Sequence, residues 1–174
     1  MTDTLGVLTA VLDEVGIAYE VTSGPGGQPT VVAEIPGELK LKTATAFTVG
    51  RHVTINAFVV RAPDEQVERV HHWLLRRNLR LFVVAYAIDH LGDIYLNATI
   101  PAEAITPETV DQILGAVGAT ADGDFDTLLE LGFESAIRAE WRWRLSRGES
   151  TRNLQAFRHL APTGDDAAGF EHDG

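Results

Sequence analysis

Cysteine is absent from the 174 residues, which removes disulfides, thiolate catalysis and cysteine-ligated metals from consideration. The absence fits a reducing compartment. No apolar run approaches the roughly 20 residues that a membrane-crossing helix needs, and residues 1–12 carry Asp3 where a secretory signal would carry positive charge. A soluble, cytoplasmic protein is the expectation. Cationic residues are scarce, 14 Lys and Arg against 25 Asp and Glu for a net charge of −11. Neither a nucleic acid nor a membrane surface is therefore expected as a partner, because both would repel most of this protein. Gly-x-Ser-x-Gly is missing, as is a phosphate loop ending in Gly-Lys-Ser/Thr.

What is present suffices for one ordinary core, since hydrophobic residues make up 45% of the chain. Leu5, Leu8, Leu12 and Val15 recur at helical spacing and Gly16 follows as the terminator of a first helix. Alternation over 17–22 and 30–35 predicts two strands, and 41–49 and 52–60 predict two more. A two-residue turn at Gly50-Arg51 would pair Val49 with His52. That register puts Ala44, Ala46, Val53, Ile55, Ala57 and Val59 on one face and Phe47, Phe58 and Val60 on the other, among threonines. The second face then needs a cover.

A central helix is expected to open at Pro63, with Asp64 and Glu65 in its first turn, and to run through Val67–Asn78. A second hairpin follows, 81–88 and 93–100, across Asp89-His90-Leu91-Gly92. Thr106-Pro107-Glu108 opens another helix. Gly115, Gly118 and Asp122-Gly123-Asp124 predict a kink or break near 118–124, after which helical spacing resumes to about Leu145. One domain over 1–147 and a mobile tail over 148–174, first arginine-containing and then acidic, complete the expectation. Leu74, Ile55, Leu96 and Leu114 are expected in the core.

The candidate chemistry is sparse. His71 and His72 point about 100° apart on a helix, so they do not share a metal, and no metal or cofactor is expected. Asp89 and Asp93 bracket a turn too short for a calcium loop. Asn78 lies on the apolar side of the central helix, where a buried amide either ties the helix end to the following turn, the favoured structural reading, or lines a site. Arg69, Arg76 and Arg80 share the opposite side, with Glu65 four residues before Arg69 as a surface pair; they make a solvated face or a docking patch for an acidic peptide. Between Arg138 and Leu160 six arginines meet two acidic residues, around Trp141 and Trp143. The two tryptophans are about 200° apart on a helix and form no single stacking platform. A basic helix that docks on an acidic surface, its own or a partner's, accounts for the run.

The segments Phe58-Val59-Val60-Arg61-Ala62-Pro63, Leu74-Leu75-Arg76-Arg77-Asn78, 89–96 with Gly92-Asp93, Pro101 and Asp111-Gln112-Ile113-Leu114-Gly115 resemble, in order and spacing, the YbjN family of bacterial sensory-transduction regulators, over about residues 5–132. The resemblance implies an α+β fold like that of type III secretion chaperones, an antiparallel sheet with helices packed chiefly on one face. It also implies a unit that dimerises and holds peptide segments, and it brings no catalytic residues. The expectation is a non-enzymatic protein-binding or regulatory module, a homodimer with a protein or peptide partner. Its binding residues would be Phe47, Phe58, Val60, Arg69, Arg76, Arg80, Trp141 and Trp143. The alternative is a small hydrolase or ligand-binding enzyme whose site is assembled in space.

Overall fold

A computed structural model describes residues 3–164. Its described residues divide into two compact units, one of residues 3–62 and 71–125 and the other of 63–70 and 126–164. In the first, α1 (Thr4–Val15) is capped by the Asp3 carboxylate, which accepts the Gly6 N–H at 2.9 Å. It stops where Gly16 turns left-handed at φ 72°, a conformation that costs glycine nothing. Six strands follow: β1 (Tyr19–Ser23), β2 (Pro29–Pro36), β3 (Lys42–Val49), β4 (His52–Val60), β5 (Ala85–Ile88) and β6 (Ile94–Pro101). They form one fully antiparallel sheet in the order β1-β2-β3-β4-β6-β5. The fold class is the expected one, α+β with an antiparallel sheet.

The register of β3 on β4 corrects the expectation. Val49 pairs with Val53, not His52, because the connection has three residues; the Gly50 N–H donates to the His52 carbonyl at 3.1 Å. A slip of one residue exchanges the faces of one strand relative to the other. Phe47 therefore sits opposite Ile55 and between it and Val31, fully buried, with Thr43 and Thr45 beside it on the core face. Ala44 and Ala46 turn outward with Thr54 and Asn56. Val60 is carried to the inside by a bulge between Phe58 and Val60 in the pairing with β6. Of the three side chains expected to need a cover, only Phe58 faces outward, in an edge-to-face contact with Tyr95 at 5.5 Å between centroids. Polar pairs share that face: Asn97 donates to Asn56 at 2.7 Å and the Thr30 and Thr48 hydroxyls meet at 3.2 Å.

The inner face, with Val31, Ile35, Val53, Ile55, Ile94 and Leu96, forms the core with Leu8 and Leu12 of α1 and Val110, Ile113, Leu114 and Val117 of α3 (Pro107–Arg147). Leu74 of α2 (Val67–Asn78) is buried too. The Thr106 hydroxyl caps α3 by accepting the Thr109 N–H at 3.2 Å. The expected break near 118–124 is absent: α3 stays helical through its glycines. A Cβ at Gly118 would stand 3.3 Å from the Ile35 side chain, so the small residue lets the helix approach β2. Asp122 and Asp124 are each anchored to other elements, and these contacts outweigh the modest cost of each glycine.

The non-helical residue in α3 is Phe133, at φ −141° and ψ 22°. The Gly132 carbonyl accepts the N–H groups of Asp64 and Glu65 at 3.0 and 3.2 Å. The Glu65 carboxylate takes the Ser135 N–H and hydroxyl at 2.6 and 2.8 Å, capping the helix that resumes. Pro63 is therefore not the first residue of α2. That helix begins at Val67 after Gln66 at φ 54°, and Glu65 serves Ser135 rather than Arg69.

The second unit also corrects the expected tail. Residues Arg152–Leu160 form a 3-10 helix whose Leu154, Phe157 and Leu160 are buried with Ile137 and Trp141. The indole N–H of Trp141 donates to the Phe157 carbonyl at 3.0 Å. Order thus continues well past 148, and residues 165–174 of the expected tail lie outside those described.

Candidate functional site

The most concentrated polar chemistry lies where α2, β5 and α3 meet. Arg77 Nε donates to Asp124 Oδ2 at 2.8 Å, and the Tyr86 hydroxyl donates to the same oxygen at 2.9 Å. Burial first, then the neighbouring Asp124 charge and its hydrogen bond, push the Tyr86 phenol far above its ordinary range, with Arg77 pulling the other way. Both bonds converge on one carboxylate oxygen, and a phenol held protonated is no base. Asn78 lies beside them, its amide donating to the Tyr86 carbonyl at 3.1 Å and accepting the Tyr86 N–H at 2.7 Å. This cluster is a clamp.

Elsewhere the candidate groups serve turns. Asp89 Oδ1 accepts the N–H groups of Leu91 and Asp93, both at 2.9 Å, Asp93 Oδ1 accepts that of Ala62 at 2.7 Å, and Gly92 takes φ 86°. His71 is half-buried and His72 exposed. Among the described residues no three His, Cys, Asp or Glu side chains are placed to share a metal.

The proposed binding residues do not converge. Phe47, Val60 and Trp141 are interior. Phe58 is partly covered, with Lys40 Nζ 5.7 Å from its ring centroid. Trp143 stays 46% exposed, its ring flanked by the guanidinium groups of Arg144 and Arg147 at 6.0 and 5.4 Å. Arg69, Arg76 and Arg80 are exposed.

Two surfaces escaped sequence reading. At the end of α2, Leu75, Leu79 and Phe82 are 70%, 87% and 76% exposed, with Arg76 and Arg80 among them. Residues 81–84 are not part of the expected strand, which begins only at Ala85. Val83 adopts φ 70° between a Phe82 carbonyl and a Val84 N–H bonded at 2.8 Å, the rare, strained form of the γ-turn. This conformation holds Phe82 outward.

The other surface is an open groove of about 440 Å³ between the end of α1, β2 with its following loop, and α3. Ile17, Ile35 and Leu114 contribute apolar walls, and Glu38, Asp111 and Asp122 are its charged residues. Asp122 Oδ1 accepts the N–H groups of Leu39 and Lys40, both at 2.8 Å. The Lys40 N–H above all, with those of Glu38 and Leu39, holds the carboxyl below its ordinary range.

Comparison with known proteins agrees with this architecture. A family model named YbjN, described as "Putative bacterial sensory transduction regulator", matches residues 4–130. Uncharacterised proteins of Mycobacterium tuberculosis and Mycobacterium bovis are each 50% identical over 159 residues, covering 90% of this chain and 87% of theirs. One from Mycobacterium leprae is 47% identical, covering 88% and 85%. Among solved structures, the chain is similar to one in the crystal structure of the ExsC–ExsE complex, with a TM-score of 0.50 at 17% identity, covering 74% of this chain and 97% of that one. At that identity the likeness concerns the fold.

Proposed function

Since this chain belongs to the YbjN family, we propose that it is a non-enzymatic, chaperone-like protein-binding module that acts in the cytoplasm as a homodimer. One observation carries the reading: Leu75, Leu79 and Phe82 stand together in solvent at the end of α2. Each such side chain forfeits roughly 1.5 to 3 kcal/mol while it remains wet, so a face of this kind is built to be covered. A second copy is the proposed cover. The fold's likeness to a chain crystallised in a protein complex supports a protein partner, and Arg77, Asp124 and Tyr86 are engaged with one another in a structural cluster.

Sedimentation equilibrium at micromolar concentration tests it on the wild type and Leu79→Glu. The wild type is expected to be a dimer, and the variant a folded monomer that has lost only the stabilisation that dimerisation adds. A wild type monomeric throughout would sink the dimer. Ester or peptide hydrolysis abolished by Tyr86→Phe in a folded protein would replace the module with an enzyme.

A further inference from the structure

We propose that the groove between α1, β2 and α3 seats a helical segment of a partner protein whose apolar stripe is flanked by lysine or arginine. The inference rests on the protein-binding reading and names the partner's chemistry at a surface separate from the end of α2. The walls, Ile17, Ile35 and Leu114, suit aliphatic side chains, and a volume of about 440 Å³ has room for several of them. All charged residues that line the groove are acidic: Glu38, Asp111 and Asp122. With a chain net charge of −11, an apolar segment with acidic flanks is repelled and one with basic flanks is drawn in.

The shape argues for a helix. Asp111, Gly115, Gly118 and Asp122 follow one another along one side of α3, a straight wall about three turns long, the length that a helix laid in a groove uses. Gly118 is explained within the fold by Ile35. Gly115 is not, because a Cβ there would meet nothing within 4 Å. A glycine inside a helix weakens it relative to alanine, and here no internal neighbour requires it. What it leaves is an open stretch of α3 backbone on which a second helix can close in.

Fluorescence titration with two helical peptides of about 16 residues tests the proposal. Both carry the same leucine stripe, one with lysine and one with glutamate at the remaining positions. The lysine peptide is expected to bind and the glutamate peptide to bind at least about tenfold more weakly. Gly115→Trp, which fills the groove, and Asp111→Lys, an exposed change, should each weaken the lysine peptide about tenfold or more. Gly115→Trp should leave the melting temperature unchanged or raised, and Leu79→Glu should leave peptide affinity intact. Failure of the lysine peptide to bind overturns the groove, as does equal binding of the two peptides. Affinity indifferent to both groove variants overturns it too, as mere attraction to an acidic surface. Binding lost only in Leu79→Glu also overturns the groove while sparing the protein-binding reading.

Discussion

The side chain of Asn78 pairs with the backbone of Tyr86 as a neighbouring strand would, donating to its carbonyl at 3.1 Å and accepting its N–H at 2.7 Å. β5 is an edge strand, bonded to β6 on one side only. The amide of Asn78 occupies a donor and an acceptor on its free side, where an exposed ladder would invite another chain. One residue thus closes α2, starts β5 and blocks part of a sheet edge.

Replacing Asn78 with alanine leaves both Tyr86 backbone groups without that partner and should cost about 1 to 3 kcal/mol. Asn78→Asp keeps the acceptor but sets a carboxylate against the Tyr86 carbonyl, so it should not restore stability. Urea titration of the two variants checks this. A loss below about 0.5 kcal/mol in Asn78→Ala would mean that the edge needs no closure.

Leu74, 4% exposed, is the deepest anchor of α2 in the sheet unit. Leu74→Ala should cost about 2 to 5 kcal/mol, according to how far the cavity collapses. A change under about 0.5 kcal/mol on denaturant titration would contradict the packing of α2.

Much of the fold was legible because local chemistry dictated it. Gly16 ends α1, Thr106 caps α3 and Gly92 turns the second hairpin, each through a requirement that one residue states by itself. Leu74, Ile55, Leu96 and Leu114 are buried as periodicity implied. What escaped depended on partners distant in sequence. One extra residue in the β3–β4 turn moved Phe47 from a supposed surface into the core. The glycines of α3 looked like a break because the contacts that hold them, Ile35 and the loop bonded to Asp122, lie about 80 residues away. The actual irregularity at Phe133 is set by the segment from Pro63 to Glu65, whose carboxylate read as the start of α2. Neither surface was legible in outline, since Leu79 and Phe82 have the composition of a buried strand and Gly115 that of a helix end.

The Asp122 carboxyl gives acid unfolding a specific component. Its folded pKa lies below the ordinary value because backbone N–H groups stabilise the ionised form. The unfolded chain therefore takes up the proton first, so this stabilisation is complete above about pH 4. It is lost as the pH falls from there through the lower folded value. Asp122→Asn should lower the denaturant midpoint near neutrality, and the gap to the wild type should narrow below about pH 4. A gap of constant size down to pH 3 would show that the charge of Asp122 adds nothing to its hydrogen bonds.

The two stretches after α3 should behave oppositely on truncation. Residues 165–174 contain a single large apolar residue, Phe170, among four acidic ones, so their removal should leave the melting temperature nearly unchanged; a drop of more than about 5 °C would mean that they dock. Removing 151–174 takes away Leu154, Phe157 and Leu160, uncovers Ile137 and Trp141, and strips the indole N–H of its carbonyl acceptor. Phe157→Ala isolates the packing component without shortening the chain and should cost about 3 to 5 kcal/mol within this unit. With Trp73 and Trp143 each replaced by phenylalanine, emission reports Trp141 alone. In that background Phe157→Ala should shift the emission toward the red and lower its unfolding midpoint. Unchanged emission on Phe157→Ala would mean that the 3-10 helix does not cover Trp141.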